Sequence, residues 1–242
     1  MKNKDLTAAG AIFLLLAALM IGVSCNSGGS AEEASLEGMW ICRLNAIIYS
    51  WDTLILSFTG DRYSLIELET TRQIGGSQGP FTLTGDEMII AGDEVWDKSD
   101  RVWKPGATSL TFDVELGKTT LKLTEHHAGG GVSDHDFIRL AGPVRDSAVI
   151  GDWKGETVDG AKLSLNGDGT YSQETPEGGG YTDSGVWECR GPYLLLTADT
   201  INGTDEKFLT YCSIYEVEAG PKLIFSDLNN TSSEGPWIYI PQ

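Results

Sequence analysis

The chain has 242 residues, with 17 Lys+Arg against 35 Asp+Glu, a net charge of −18 and a pI near 4.4. That balance excludes a nucleic-acid binder, which needs clustered Lys and Arg against phosphates, and a polybasic membrane-surface module. With 40% apolar and 21% charged residues the chain belongs among folded globular proteins, and its 30 glycines and seven tryptophans favour short strands and tight turns.

Lys2 and Lys4 open the chain, and an apolar run follows, densest from Ala11 to Ile21. That run is shorter than the ~20 residues of a spanning helix and suits a secretory signal. The alternative is an uncleaved anchor helix across Leu6–Val23, which Gly10 and Gly22 weaken. Directly after the run, Val23-Ser24-Cys25 resembles the lipobox of bacterial lipoproteins, with Gly22 where that motif often carries Leu. The resemblance implies cleavage before Cys25, attachment of acyl chains such as palmitate, and anchoring to a lipid bilayer. It places the protein in the bacterial cell envelope, on the outer membrane rather than the inner. Two or three acyl chains make a durable anchor where one is reversible. Removing residues 1–24 leaves 218 residues carrying 15 basic and 34 acidic side chains. Residues 25–35, rich in Gly, Ser and Glu, form a flexible tether.

The remainder repeats itself. Leu36-Glu37-Gly38-Met39-Trp40 is echoed by Val149-Ile150-Gly151-Asp152-Trp153, and Leu56–Ser64 by Leu163–Ser172. Gly79-Pro80-Phe81 matches Gly185-Val186-Trp187, Leu110-Thr111-Phe112 matches Leu209-Thr210-Tyr211, and Phe137–Leu140 matches Trp237–Ile240. Five collinear landmarks define two copies, 36–141 and 149–242, joined through Ala141-Gly142-Pro143.

Within copy one, Leu54, Leu56 and Phe58 alternate with polar neighbours, as do Leu110, Phe112, Val114 and Leu116. Gly60-Asp61, Gly85-Asp86 and Gly117-Lys118 supply hairpin turns between such runs. The pattern predicts eight strands near 39–45, 51–58, 62–69, 80–84, 87–91, 108–116, 119–124 and 136–140, and the same series in copy two. Eight short antiparallel strands close into a small barrel, which removes exposed sheet edges. The fold class is therefore all-β, two small antiparallel barrels in tandem.

Gly38-Xaa-Trp40 and Gly151-Xaa-Trp153 resemble the Gly-Xaa-Trp signature of lipocalins, and more closely the compact lipocalin-like domains of bacterial lipoproteins. The resemblance implies that each tryptophan plugs the closed end of its barrel, covered by a basic residue near the last strand. Arg139 occupies that place in copy one, whereas copy two aligns Tyr239 there.

All three histidines, His126, His127 and His135, fall in one glycine-hinged acidic segment, the raw material of a transition-metal site. Their spacing matches no defined site, and strand alternation lets at most one of His126 and His127 join His135, so no metal is assigned. Copy two has no histidine at the corresponding Asp227–Glu234. Gly75-Gly76-Ser77-Gln78-Gly79 has the spacing of a nucleophile elbow but precedes a strand where the elbow needs a helix. Asn166-Gly167-Asp168-Gly169 lacks the later ligands of a calcium loop and is a turn. Asp93–Trp103 is the longest loop-like insertion, and Trp96 and Trp103 are expected to anchor it on its own barrel, with a stacked sugar or a partner as the alternative.

With Cys25 acylated, Cys42, Cys189 and Cys212 remain. Alternation turns Cys42 and Cys189 into separate barrel interiors and Cys212 outward, so no intramolecular disulfide is expected. No catalytic residues, cofactor or nucleic-acid partner can be named. The expected function is a cell-envelope lipoprotein whose barrels bind a small hydrophobic ligand or a partner protein. The alternatives are a structural or adhesive surface lipoprotein with filled barrels, and an envelope hydrolase, which lacks an identifiable nucleophile–base pair. Trp40 and Trp153 are expected to be buried plugs, each supporting its own barrel alone.

Overall fold

The computed structural model describes residues 34–43, 53–69, 72–127, 129–176, 180–218, 220–226 and 237–242. The expected signal segment, Cys25, the expected tether up to residue 33 and Asp227–Glu234 lie outside them, as does the side chain of Cys212.

Sixteen strands are present among the described residues. The first eight are β1 (Gly38–Arg43), β2 (Thr53–Thr59), β3 (Arg62–Glu69), β4 (Arg72–Thr84), β5 (Glu87–Asp97), β6 (Val102–Leu116), β7 (Thr120–His126) and β8 (Val132–Arg139). The second eight are β9 (Gly151–Gly155), β10 (Lys162–Leu165), β11 (Thr170–Thr175), β12 (Tyr181–Arg190), β13 (Tyr193–Ile201), β14 (Thr204–Val217), β15 (Leu223–Ser226) and β16 (Trp237–Pro241). Each set pairs antiparallel in chain order, and its last strand returns to its first, closing two eight-stranded barrels. The strands alternate because one face of each must leave water. In β2, Leu54, Leu56 and Phe58 point into barrel one, opposite Glu67, Leu65 and Tyr63 of β3.

Three expectations need correction. Asp93–Trp103 is not a loop: β5 and β6 extend through it as a long hairpin that turns at Lys98–Arg101. β4 begins at Arg72 rather than near residue 80, so Gly75–Gly79 lies inside a strand. The copies also align differently late in the chain. Arg139 pairs with Trp40 and Pro241 with Trp153, which puts Tyr239 in the place of Phe137. Tyr211, not Leu209, stands where Leu110 does, opposite Leu196 as Leu110 is opposite Ile90. A two-residue slip keeps every side chain on its face, so alternation alone does not reveal it.

The starts of the two barrels repeat in detail. Trp40 donates its indole N–H to the carbonyl of Leu36 (2.9 Å), and Trp153 donates to Val149 (3.0 Å). Both rings are buried, at 0% and 6% exposure. Gly38 and Gly151, each at positive φ (112° and 149°), turn the chain so that the residue two before can lie beneath the indole. Arg139 lies over the Trp40 ring, 4.2 Å from its centroid, and donates to the carbonyls of Ser35, Glu37 and Lys118. In barrel two a cation from the connecting segment covers a different tryptophan, on β12 rather than on the first strand. Val144 bridges to Cys189, and Arg145 lies 5.2 Å from the Trp187 ring.

The barrels are not independent cores. Ile41, Ile55 and Leu68, on the outer face of barrel one, form a buried cluster with Leu140 and with Tyr193 and Leu195 of β13. A second cluster joins Trp96, on the β5–β6 hairpin, to Ala198 and Ile201 of barrel two, with Trp103 and Tyr181 packed against it. The two tryptophans meet edge to face at 5.5 Å. They anchor the hairpin on the neighbouring barrel, where the sequence suggested its own. Burying these faces links the stability of the two halves. Leu195→Ala should cost about 2–5 kcal/mol. Calorimetry should show one transition for the chain, moved as a whole to lower temperature by this change; two transitions, with only one displaced, would contradict the shared interface.

Candidate functional site

Barrel one encloses a cavity of ≈ 260 Å³. Its deeper wall is apolar, formed by Leu54, Leu56, Met88, Ile90, Phe112 and Phe137. Toward the end bearing the β7–β8 connection it becomes polar, with Glu67, Glu125, His127, Ser133 and His135. Three strands deliver these groups by alternation. Leu65 and Glu67 follow Tyr63 inward on β3, Leu123 and Glu125 follow Leu121 on β7, and Ser133, His135 and Phe137 share the inner face of β8.

Gly75 and Ser77 stand opposite Glu67 and Leu65, and Gly79 opposite Tyr63, all on the inner face. A Cβ on Gly75 would run into the Glu67 carboxylate. Tyr63 donates its hydroxyl to Ser77 Oγ at 3.1 Å, which holds that phenol against the wall. Barrel two carries Tyr181 where barrel one has Gly75, and Asp183 where it has Ser77. There Tyr171 donates to the buried Asp183 carboxylate at 2.7 Å, and Tyr239 shares a hydrogen bond with Gln173.

The histidines divide. His126 turns outward to Asp113 (2.7 Å). His127 and His135 face the cavity on either side of Glu125, at 3.4 and 3.8 Å from its carboxylate oxygens, and His127 Nε2 also lies 2.7 Å from Ser133 Oγ. Among the described residues no group of three or more His, Cys, Asp or Glu side chains is arranged to hold a metal ion. Burial pushes the His135 imidazole below its ordinary pKa, partly offset by the attraction of Glu125. Burial raises the Glu67 carboxyl above the ordinary carboxylate range.

Of the residues singled out from sequence, Gly38, Trp40 and Arg139 meet at the end of barrel one opposite the polar rim, and Gly151 and Trp153 at the same end of barrel two. Cys42 and Cys189 are buried free thiols in separate interiors. Glu67 and Glu125 did not stand out among 35 acids, although their inward phase was available from the alternation. Comparison with protein-family models, with curated proteins and with solved structures gives no match.

Two outcomes follow from burial. Burial holds the Cys42 thiol at a pKa of about 11, so little of it is the nucleophilic thiolate. Iodoacetamide at about pH 8 should leave Cys42 and Cys189 unmodified in the folded chain and label both after denaturation, as read by peptide mapping; labelling in the folded state would contradict the buried assignment. For His135, the unfolded chain takes up the proton first as pH falls below about 6.5, so folding stability declines with acidification through that window. The melting temperature of His135→Asn should fall less between about pH 7.5 and pH 5.5 than that of the unchanged protein.

Proposed function

We propose that this protein is a lipid-anchored envelope protein whose first barrel binds a small, largely apolar ligand. The observation that carries the reading is the cavity in barrel one, ≈ 260 Å³, apolar in its depth and polar at one end. Ligand sites are typically concave and apolar with a few placed polar groups, and this volume lies just under the ~300–1,000 Å³ of drug-sized pockets. A small ligand is therefore the fitting class. Trp40 and Arg139, at the opposite end, serve the barrel rather than the ligand. The Gly-Xaa-Trp resemblance to lipocalin-like domains points the same way, and barrel two serves as the docking partner that buries the outer face of β1–β3.

Anchoring rests on Val23-Ser24-Cys25. Cys25→Ser should abolish incorporation of an alkyne-labelled palmitate and release the protein from the membrane fraction; continued labelling would remove the lipoprotein part of the reading. For the ligand, native mass spectrometry of protein purified from its own envelope should show a bound small molecule. Leu110→Trp, which places an indole in the space beside Ile90, should abolish that adduct while keeping the strand content by circular dichroism. A bare protein mass, with no thermal shift across a panel of small apolar compounds, would favour a structural role with a filled or idle barrel.

A further inference from the structure

Among the described residues the polar end of the cavity bears two carboxylates and no Lys or Arg. Glu125 has histidine neighbours, His127 and His135. Glu67 has no ion pair or hydrogen bond among the described residues. It is half-buried on the inner face of β3, and the missing side chain of Gly75 leaves room for its carboxylate. An ionised carboxylate drawn from water without a partner is costly, and the cost is recovered when a cation or strong donor arrives. The surrounding field favours a cation, because the whole chain carries −18. An anionic ligand meets the opposite situation, with two carboxylates at the polar end of its pocket and a negative protein around it.

We propose that the ligand of barrel one is a small amphiphilic amine, its apolar body against Leu56, Ile90 and Phe112 and its protonated nitrogen at the carboxylate-lined end, against Glu67 in particular. This rests on the reading of barrel one as a ligand-binding barrel and adds the class of ligand. It also separates this pocket from one built for fatty acids, whose carboxylate would be repelled at that end. His135, whose charged form burial disfavours, fits the same role, since its neutral imidazole leaves the negative charge of Glu125 uncancelled.

Three probes of one shape and different charge test the proposal: 4-phenylbutylamine, 4-phenyl-1-butanol and 4-phenylbutyrate, titrated calorimetrically into the full chain near neutral pH. The amine should bind about tenfold or more tightly than the alcohol, the gain of one charge-assisted hydrogen bond, and the carboxylate most weakly. Glu67→Gln keeps the shape and removes the charge. It should bring the amine to within a few-fold of the alcohol and leave the alcohol nearly unchanged. Equal binding of all three, a preference for the carboxylate, or an amine preference that survives Glu67→Gln would overturn the amine proposal while leaving the apolar-ligand reading in place. Failure of all three probes to bind would overturn both.

Discussion

An eight-stranded barrel is about as wide inside as the side chains that point into it, so the identity of a few inward residues decides whether it is solid or hollow. In this protein β4 carries small residues at three successive inward positions, Gly75, Ser77 and Gly79, opposite Glu67, Leu65 and Tyr63, and the open side of Gly75 is taken up by the Glu67 carboxylate. At two of the matching positions barrel two has Tyr181 and Asp183, and the Asp183 carboxylate is taken up by Tyr171. The two repeats thus differ in what their inward positions carry, and in barrel one Glu67 has no ion pair or hydrogen bond among the described residues.

Barrel two has a use beyond its own interior. Its β13 presents Tyr193 and Leu195 to the outer face of barrel one, and Ala198 and Ile201 receive Trp96 from the β5–β6 hairpin. A hollow barrel gives up part of its own apolar packing, and burial of its outer wall offsets that loss. The two clusters sit on β1–β3 and at the β5–β6 hairpin, β14 also lies along β4 and β6, and neither cluster includes a residue of β7 or β8, which carry Glu125 and His135.

Much of this architecture was legible in the sequence. Period-two alternation located all eight strands of barrel one, and the Gly-Xaa-Trp pairs marked both starts, where the same indole-to-carbonyl hydrogen bond recurs. Alternation also placed Cys42 and Cys189 in separate interiors and divided His126 from His127. Other features were hidden for physical reasons. The slip that misplaced Tyr239 is invisible to a pattern that repeats every two residues. The shared interface was signalled by strands apolar on both faces, Leu54-Ile55-Leu56 and Tyr193–Leu196, yet an outward Ile is common enough to pass as surface. The Trp96–Trp103 pair lay in a charge-rich stretch that resembled a loop until its cross-strand register was known. Glu67 and Glu125 broke the apolar rule for inward positions, and such local conflicts tend to mark function.

Xenon tests the hollow-barrel account most directly, since it enters apolar cavities without needing any particular chemistry. A crystal of the chain under xenon pressure should show the gas inside barrel one, among Leu56, Ile90 and Phe112, and none among the corresponding residues of barrel two. A barrel one whose interior is occupied by its own side chains and takes up no xenon, or gas bound in barrel two instead, would contradict it.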